Sequence, residues 1–444
     1  MRTTPQWLET GQYATFGAAA LLMITVVLGA RSHRQAMQAV GKDSAPSIIA
    51  AQHIRAALAD MDANAANELL DDRTSGAARK AYEARRKEGV ESIVTAAQNI
   101  TYGDAELIPV RKLAYGLGTY TAMMQRARDL HEAGDRRFIA EWRAAAQYMD
   151  NTVLPAAADL DKANRHVLDD IYAAQGRASL LSILLTLLTA ALLLALLIWL
   201  QWFLMERTRR TLNPLMLGAS VVTVFFVAYT LSAFRAQDRH LRIAKEDAFE
   251  SIHALWQARS VSYSANSDES RYLLDREQAD SHQNAFFAKA YRIARLPRGT
   301  NSSAALSMAG QGTRLQNFTG YLADELNNIT FEGEREAATS TLARYLEYME
   351  IDASIRKLEQ SGKHAEAVAL CTGSQQGESN WAFDRFDTAL GKTLEVNQRA
   401  FDTAVEAGFR DVSGFEVIAP VAALAIAALT FFGLKPRLEE YRNP

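Results

Sequence analysis

The sequence has one cysteine, Cys371, so no intrachain disulfide can form, and no CxxC or Cys/His cluster offers zinc ligands. Neither sign of charge dominates: the formal net charge is −3, which provides no basic field for nucleic acid. Catalytic signatures are lacking too. There is no GxSxG, no HExxH and no Walker A motif. The GKDS at 41–44 has no preceding spaced glycine, and the GLG at 116–118 is too short for a dinucleotide fingerprint. The histidines are scattered without metal-ligand spacing. These absences lead us to expect a non-enzymatic protein with no catalytic residue, metal or cofactor. Gly/Pro punctuation is sparse and no alternating β pattern occurs, whereas alanine is abundant. An all-α fold is expected.

One lack is local. Four stretches carry no charged residue: Gln12–Ala30, Ser179–Met205, Thr211–Phe234 and Val417–Leu434. Crossing a bilayer core takes about 20 apolar residues in a helix. Pro214 and Pro420 lie near the starts of their spans, where a missing N–H does least harm. The first stretch could be read as a signal peptide after Arg2, but no A-x-A-like cleavage site follows it. Positive charge marks the short connections: Arg207, Arg209 and Arg210 in ERTRR, Arg2 before the first span, and Lys435, Arg437 and Arg442 after the last. Such segments stay on the cytoplasmic side. The expected order is a cytoplasmic tail (1–11), span (12–30), outer domain (31–178), span (179–205) and cytoplasmic turn (206–210). A third span (211–234), second outer domain (235–416), fourth span (417–434) and cytoplasmic tail (435–444) follow. The location is then the plasma membrane, in contact with lipid.

The chain repeats itself. An offset of 204 maps the first span onto the third without a gap and pairs Leu69-Leu70 with Leu273-Leu274, Arg31 with Arg235, Arg55 with Arg259 and Asp71 with Asp275. Later an offset of 228 pairs Tyr120 with Tyr348, Leu130 with Leu358 and Gly134 with Gly362. The second copy has a longer connection around Pro297–Thr313. Ile54, Leu58, Met61, Ala65 and Leu69 recur at helical spacing on one face. Breaks near Thr74–Gly76, Tyr102–Asp104, Gly134 and Pro155 suggest about four helices in the first outer domain. The second breaks near Pro297–Gly312, Gly333, Ser361–Lys363 and Gly373–Ser379. The expected architecture is therefore four transmembrane helices carrying two extracytoplasmic helical-bundle domains, internally duplicated.

Candidate site residues are few. Asp60-x-Asp62-x-Asn64 resembles the opening of a calcium loop, but Ala65 stands where that loop needs glycine and Asp71 where it usually has glutamate. Asp60, Asn64, Asn67 and Asp71 are read instead as a solvated helix face. Arg55 and Asp62 lie at the edge of the apolar face, and charges there must be paired. We expect them to bridge each other or, alternatively, the arginines to hold a small anion. Arg259 and Asn266 are their counterparts, beside Trp256, Tyr263 and Leu273. The run Ser267-Asp268-Glu269-Ser270-Arg271 is expected to face water, with Asp268 and Arg271 open to a partner protein. Cys371 is read as an unpaired bystander.

Segment 48–70, IIAAQHIRAALADMDANAANELL, resembles the first helix of the four-helix-bundle sensor domains of bacterial chemoreceptors and sensor kinases. With Tyr263–Asp275 (YSANSDESRYLLD), Leu154–Leu160 (LPAAADL), Ala382–Leu390 (AFDRFDTAL) and Asn397–Asp402 (NQRAFD), the duplicated arrangement resembles the actinobacterial GlnX-type membrane proteins. That resemblance implies a signal relay from an extracytoplasmic amino-acid-binding lipoprotein to a cytoplasmic Ser/Thr protein kinase, and it leaves homo-oligomerisation open. Two rivals are a direct small-molecule sensor, which requires a pocket near Arg55 or Arg259, and a structural protein of the envelope. A transporter fits poorly, because the spans hold no ionisable residue.

Overall fold

The computed structural model describes residues 3–208 and 212–442. Arg2, Arg209 and Arg210, which argue for orientation, lie outside them, and so does the Arg442 side chain. Among the described residues there are helices and no strand. The helices are α1 (Thr4–Gln38), α2 (Ala45–Leu70), α3 (Ser75–Gln98), α4 (Asp104–Glu132), α5 (Phe138–Tyr148), α6 (Leu154–Thr208), α7 (Pro214–Arg242) and α8 (Glu250–Leu274). They continue with α9 (Ala279–Ile293), α10 (Ser302–Gly310), α11 (Tyr321–Asn327), α12 (Glu334–Gln360), α13 (His364–Thr372), α14 (Ser379–Asp411) and α15 (Phe415–Arg442). Short π-helical segments, Ala39–Ser44, Met149–Val153 and Ile243–Phe249, join α1 to α2, α5 to α6 and α7 to α8. Four helical runs are long and apolar enough to span a membrane: Thr4–Leu70, Phe138–Arg207, Pro214–Leu274 and Ser379–Glu440.

The chain divides into two compact units. One gathers residues 1–42, 169–243 and 403–444, which hold the four apolar helices. Its core includes Leu22, Val26, Leu193, Leu197, Phe226, Phe234, Phe415 and Ile426. Leu188, Leu192, Ile198, Phe225 and Leu424 point outward and remain exposed, so these helices are apolar inside and out, as lipid-facing helices are. Gly29 allows close packing: a Cβ there would lie 2.9 Å from the Phe234 ring. Asn213 caps α7 by accepting from the backbone N–H groups of Leu215 and Met216, with Pro214 in its first turn. His33 and Gln237, which the 204 offset pairs, hydrogen-bond at 2.5 Å.

The other unit comprises residues 43–168 and 244–402. The sequence suggested separate outer domains; these two segments form one compact body instead. Its centre is α2 lying against α8, with α3 on α2 and α9 on α8 in matching fashion. The central helices run parallel and in repeat register. His53 meets the Trp256 ring at 5.4 Å, Ser267 donates to Asp62 at 2.7 Å, and Ser270 donates to Asn67 at 2.5 Å. Alanines and serines along both helices permit this approach. Pro155 does not end a helix as expected, because the π-helical turn before it leads straight into α6.

Candidate functional site

Five consecutive polar residues go right round a helix, and in sequence that reads as solvent exposure. The run Ser267–Arg271 is nevertheless buried throughout, at 3% exposure or less. The reason is position: α8 is covered by α2, α9, α11 and α13. Each side chain finds a partner on a neighbour, as burial requires. Arg271 donates through Nη2 to Asp62 at 2.6 Å and through Nη1 to Asp150 at 2.6 Å and Asp268 at 3.2 Å. Lys289 donates to the other Asp268 oxygen at 2.6 Å, and the Tyr120 hydroxyl donates to Asp62 at 2.9 Å. Burial alone would lower the Arg271 pKa; Asp62, Asp150 and Asp268 override it and hold it well above its usual value. Burial would likewise raise Asp150, but Arg271 and Lys289 keep it low. Beside this cluster Arg143 forks onto Asp275 at 2.8 and 2.7 Å.

Asp62 is therefore not bridged to Arg55. Seven residues separate these two on α2, whereas α8 brings Arg271 directly opposite. Arg55 has no hydrogen bond or ion pair among the described residues, and burial together with nearby Arg292 lowers its pKa. Its counterpart Arg259 forks onto Asp387 at 2.7 and 2.5 Å and stacks on Trp256, 5.2 Å from the ring centre. Asn266 is buried, with a long 3.5 Å bond to Glu269.

The stripe expected in water lines a cleft of about 830 Å³. Asp60, Asn64, Asn67 and Asp71 form one wall, Arg85 and Glu88 of α3 a second, and Tyr263 and Asn266 of α8 the floor. Thr372, Glu378, Phe383, Asp384 and Asp387 close the far side. Arg85 bonds Asp60 and also Glu88, the latter at 2.7 Å. Burial pushes the Asp60 carboxyl up to about 6 despite that guanidinium. Arg73, aided by Thr372, holds Asp71 below the usual carboxylate range. Burial and nearby Asp387 raise Asp384.

Two further groups had no signal in the sequence. Glu269 and Asp352 approach each other beside Arg356, and burial raises both. Glu325 faces Glu334 and accepts from Asn397 at 3.1 Å; burial and Glu334 raise it. Cys371 is buried near Ser270 and Glu269, and burial first and then Glu269 push its thiol well up, leaving it unreactive. The cleft, by contrast, had a usable signal. The 204 offset carries Asp60, Asn64, Asn67 and Asp71 onto Ser264, Asp268, Arg271 and Asp275, so both copies keep one polar stripe at the same spacing.

Helices long and apolar enough to span a membrane, continuous with those of a helical body that holds a polar cleft, are the architecture of a membrane protein. Residues 36–173 match the family model of the actinobacterial sensor domain, a segment that includes α2, α3, α4 and α5. This similarity supports a sensing or signalling role. No curated protein and no solved structure matches the chain.

Proposed function

We propose that this protein is a non-enzymatic transmembrane sensor that binds a small molecule directly, in the cleft between α2, α3, α8 and α14, on the outer face of the plasma membrane. The carrying observation is the cleft itself. Its 830 Å³ falls within the usual range for small-molecule sites, about 300–1,000 Å³, and it adjoins the Arg259–Asp387 pair. Each central helix belongs to the same helical run as a membrane-spanning candidate, and each run carries a π-helical segment of the kind often found at functional sites. A ligand that prefers one arrangement of α2 against α8 would shift the balance between two states of those runs. Output passes to a separate cytoplasmic protein. The likeness to GlnX-type proteins makes a Ser/Thr kinase the first candidate, and an amino-acid-binding lipoprotein the outer partner in the relay reading.

The test is thermal unfolding of the full chain in lipid nanodiscs against a library of polar metabolites, with Ala81→Trp as a cleft-filling control. Ala81 lines the cleft on α3. A compound that stabilises the parent and not the variant supports direct sensing. If no compound does so, direct sensing fails and the relay reading takes its place.

A further inference from the structure

The internal repeat says what kind of molecule the cleft takes. Asn67 of α2 and Arg271 of α8 are equivalent under the 204 offset, and so are Arg85 and Lys289. In the second copy the Arg271 guanidinium occupies the space beside α8 and gathers three carboxylates, Asp62, Asp150 and Asp268. In the first copy the residue is a short amide and the space is open. Asn67 is 6% exposed and lines the cleft; its Oδ1 accepts from Ser270, and its Nδ2 makes no hydrogen bond among the described residues.

The acids around this space are in excess. Asp60, Asp71 and Asp387 each have an arginine, namely Arg85, Arg73 and Arg259. Glu378 and Asp384 make no ion pair among the described residues: Arg85 acts on the exposed Asp384 only from a distance, and the Glu378 carboxylate accepts from the Gln375 backbone N–H at 2.6 Å. The Tyr263 and Phe383 rings complete the lining, and aromatic faces attract cations. Among the described residues no three acids, histidines or cysteines form a group that could hold a metal ion, whereas the aromatic lining suits an organic cation.

We infer that the cleft binds a small organic cation, an amine or guanidine that also carries a hydrogen-bond acceptor. Its cationic group takes the place that Arg271 fills in the repeat, facing Glu378 and Asp384, and its acceptor meets the Asn67 amide. This rests on the reading of the cleft as a ligand site. Removing one charge-assisted contact costs on the order of 1.5–3 kcal/mol, about tenfold or more in affinity.

Calorimetric titration of the full chain in nanodiscs with L-arginine and L-argininamide, each a guanidinium with a carbonyl acceptor, and with L-glutamate as the anionic control, tests it. The cations are expected to bind and L-glutamate is not. Asp384→Asn and Glu378→Gln should each weaken L-argininamide binding about tenfold or more, with unchanged melting of the free protein. Asn67→Arg should supply the cation internally and abolish binding. Parent-like affinity in Asn67→Arg overturns the inference, and so does preferential binding of L-glutamate. If a neutral or anionic compound protects the parent but not Ala81→Trp, direct sensing survives and the cationic class does not. If nothing protects the parent, both fall.

Discussion

The two copies of the repeat use the same polar stripe in opposite ways. In the α8–α9 copy the stripe acids Asp268 and Asp275 pair with Lys289 and Arg143, and Arg271 fills the middle. In the α2–α3 copy the stripe acids Asp60 and Asp71 pair with Arg85 and Arg73, but the middle position is Asn67 and a cleft remains, lined across from it by Glu378 and Asp384, which make no ion pair among the described residues. Duplication thus yields one half that is closed and internally satisfied and one half left incomplete. On the proposed reading the first supports structure and the second takes the ligand. The comparison breaks most directly at Arg271. Arg271→Ala takes the guanidinium from the buried carboxylates of Asp62 and Asp268 and from the partly exposed Asp150, and loss of one partner from a buried pair costs about 3–5 kcal/mol. Arg85→Ala, at the equivalent of Lys289 in the open half, removes a cation that is 35% exposed and should cost about 1 kcal/mol. Denaturant unfolding of the full chain measures both. Similar losses would show that the halves are equally dependent on internal charge.

Titration sharpens the contrast. Asp60 has a folded pKa of about 6 against 3.8 for the free group. A raised folded value means that the folded protein binds the proton more tightly. This contribution to stability is fully present below about 3.8 and is lost as pH rises through about 6. Asp60→Asn mimics the protonated form at every pH. It should match its parent near pH 4 and exceed it by about 2 kcal/mol at pH 7. Unfolding curves at the two pH values decide this, and an equal difference at both would place Asp60 at an ordinary pKa.

The apolar spans and the repeat were legible in the sequence because each is a long-range regularity. Twenty uncharged residues, or an offset of 204 held across a span, needs no knowledge of neighbours. Helix breaks at Gly134, Gly333 and Ser361–Lys363 were legible for the same local reason. The environment of α2 and α8 was not. Whether Asp60, Asn64 and Asn67 face water depends on what covers them, and the covering residues, Asp384 and Phe383, lie more than 300 positions further on. The pairing of Asp62 failed likewise. Proximity along one helix pointed to Arg55, whereas the partner comes from the parallel helix of the other copy. The repeat offset held the information, since parallel packing in register places Asp62 beside Ser267 and Arg271.

Arg55 and Arg259 reverse the asymmetry on a smaller scale. Here the second copy holds the satisfied pair: Arg259 forks onto Asp387, with both side chains about a fifth exposed. Arg55 has no such carboxylate. Asp161 is near enough to favour its charge, but Asp161 bonds His253 at 3.1 Å. A half-buried cation whose pKa is lowered by burial adds little to stability in its charged form. Arg55→Met keeps most of the aliphatic stem and removes the charge, so it should change stability by no more than about 0.5 kcal/mol. Arg259→Met strands Asp387 and should cost about 1–2 kcal/mol, between the values for exposed and buried pairs. The check is a pair of denaturation curves at neutral pH and low salt, where screening is weakest. A loss of about 3 kcal/mol at Arg55 would mean that it has a strong anionic partner after all, and the arginines would then be equivalent in both copies.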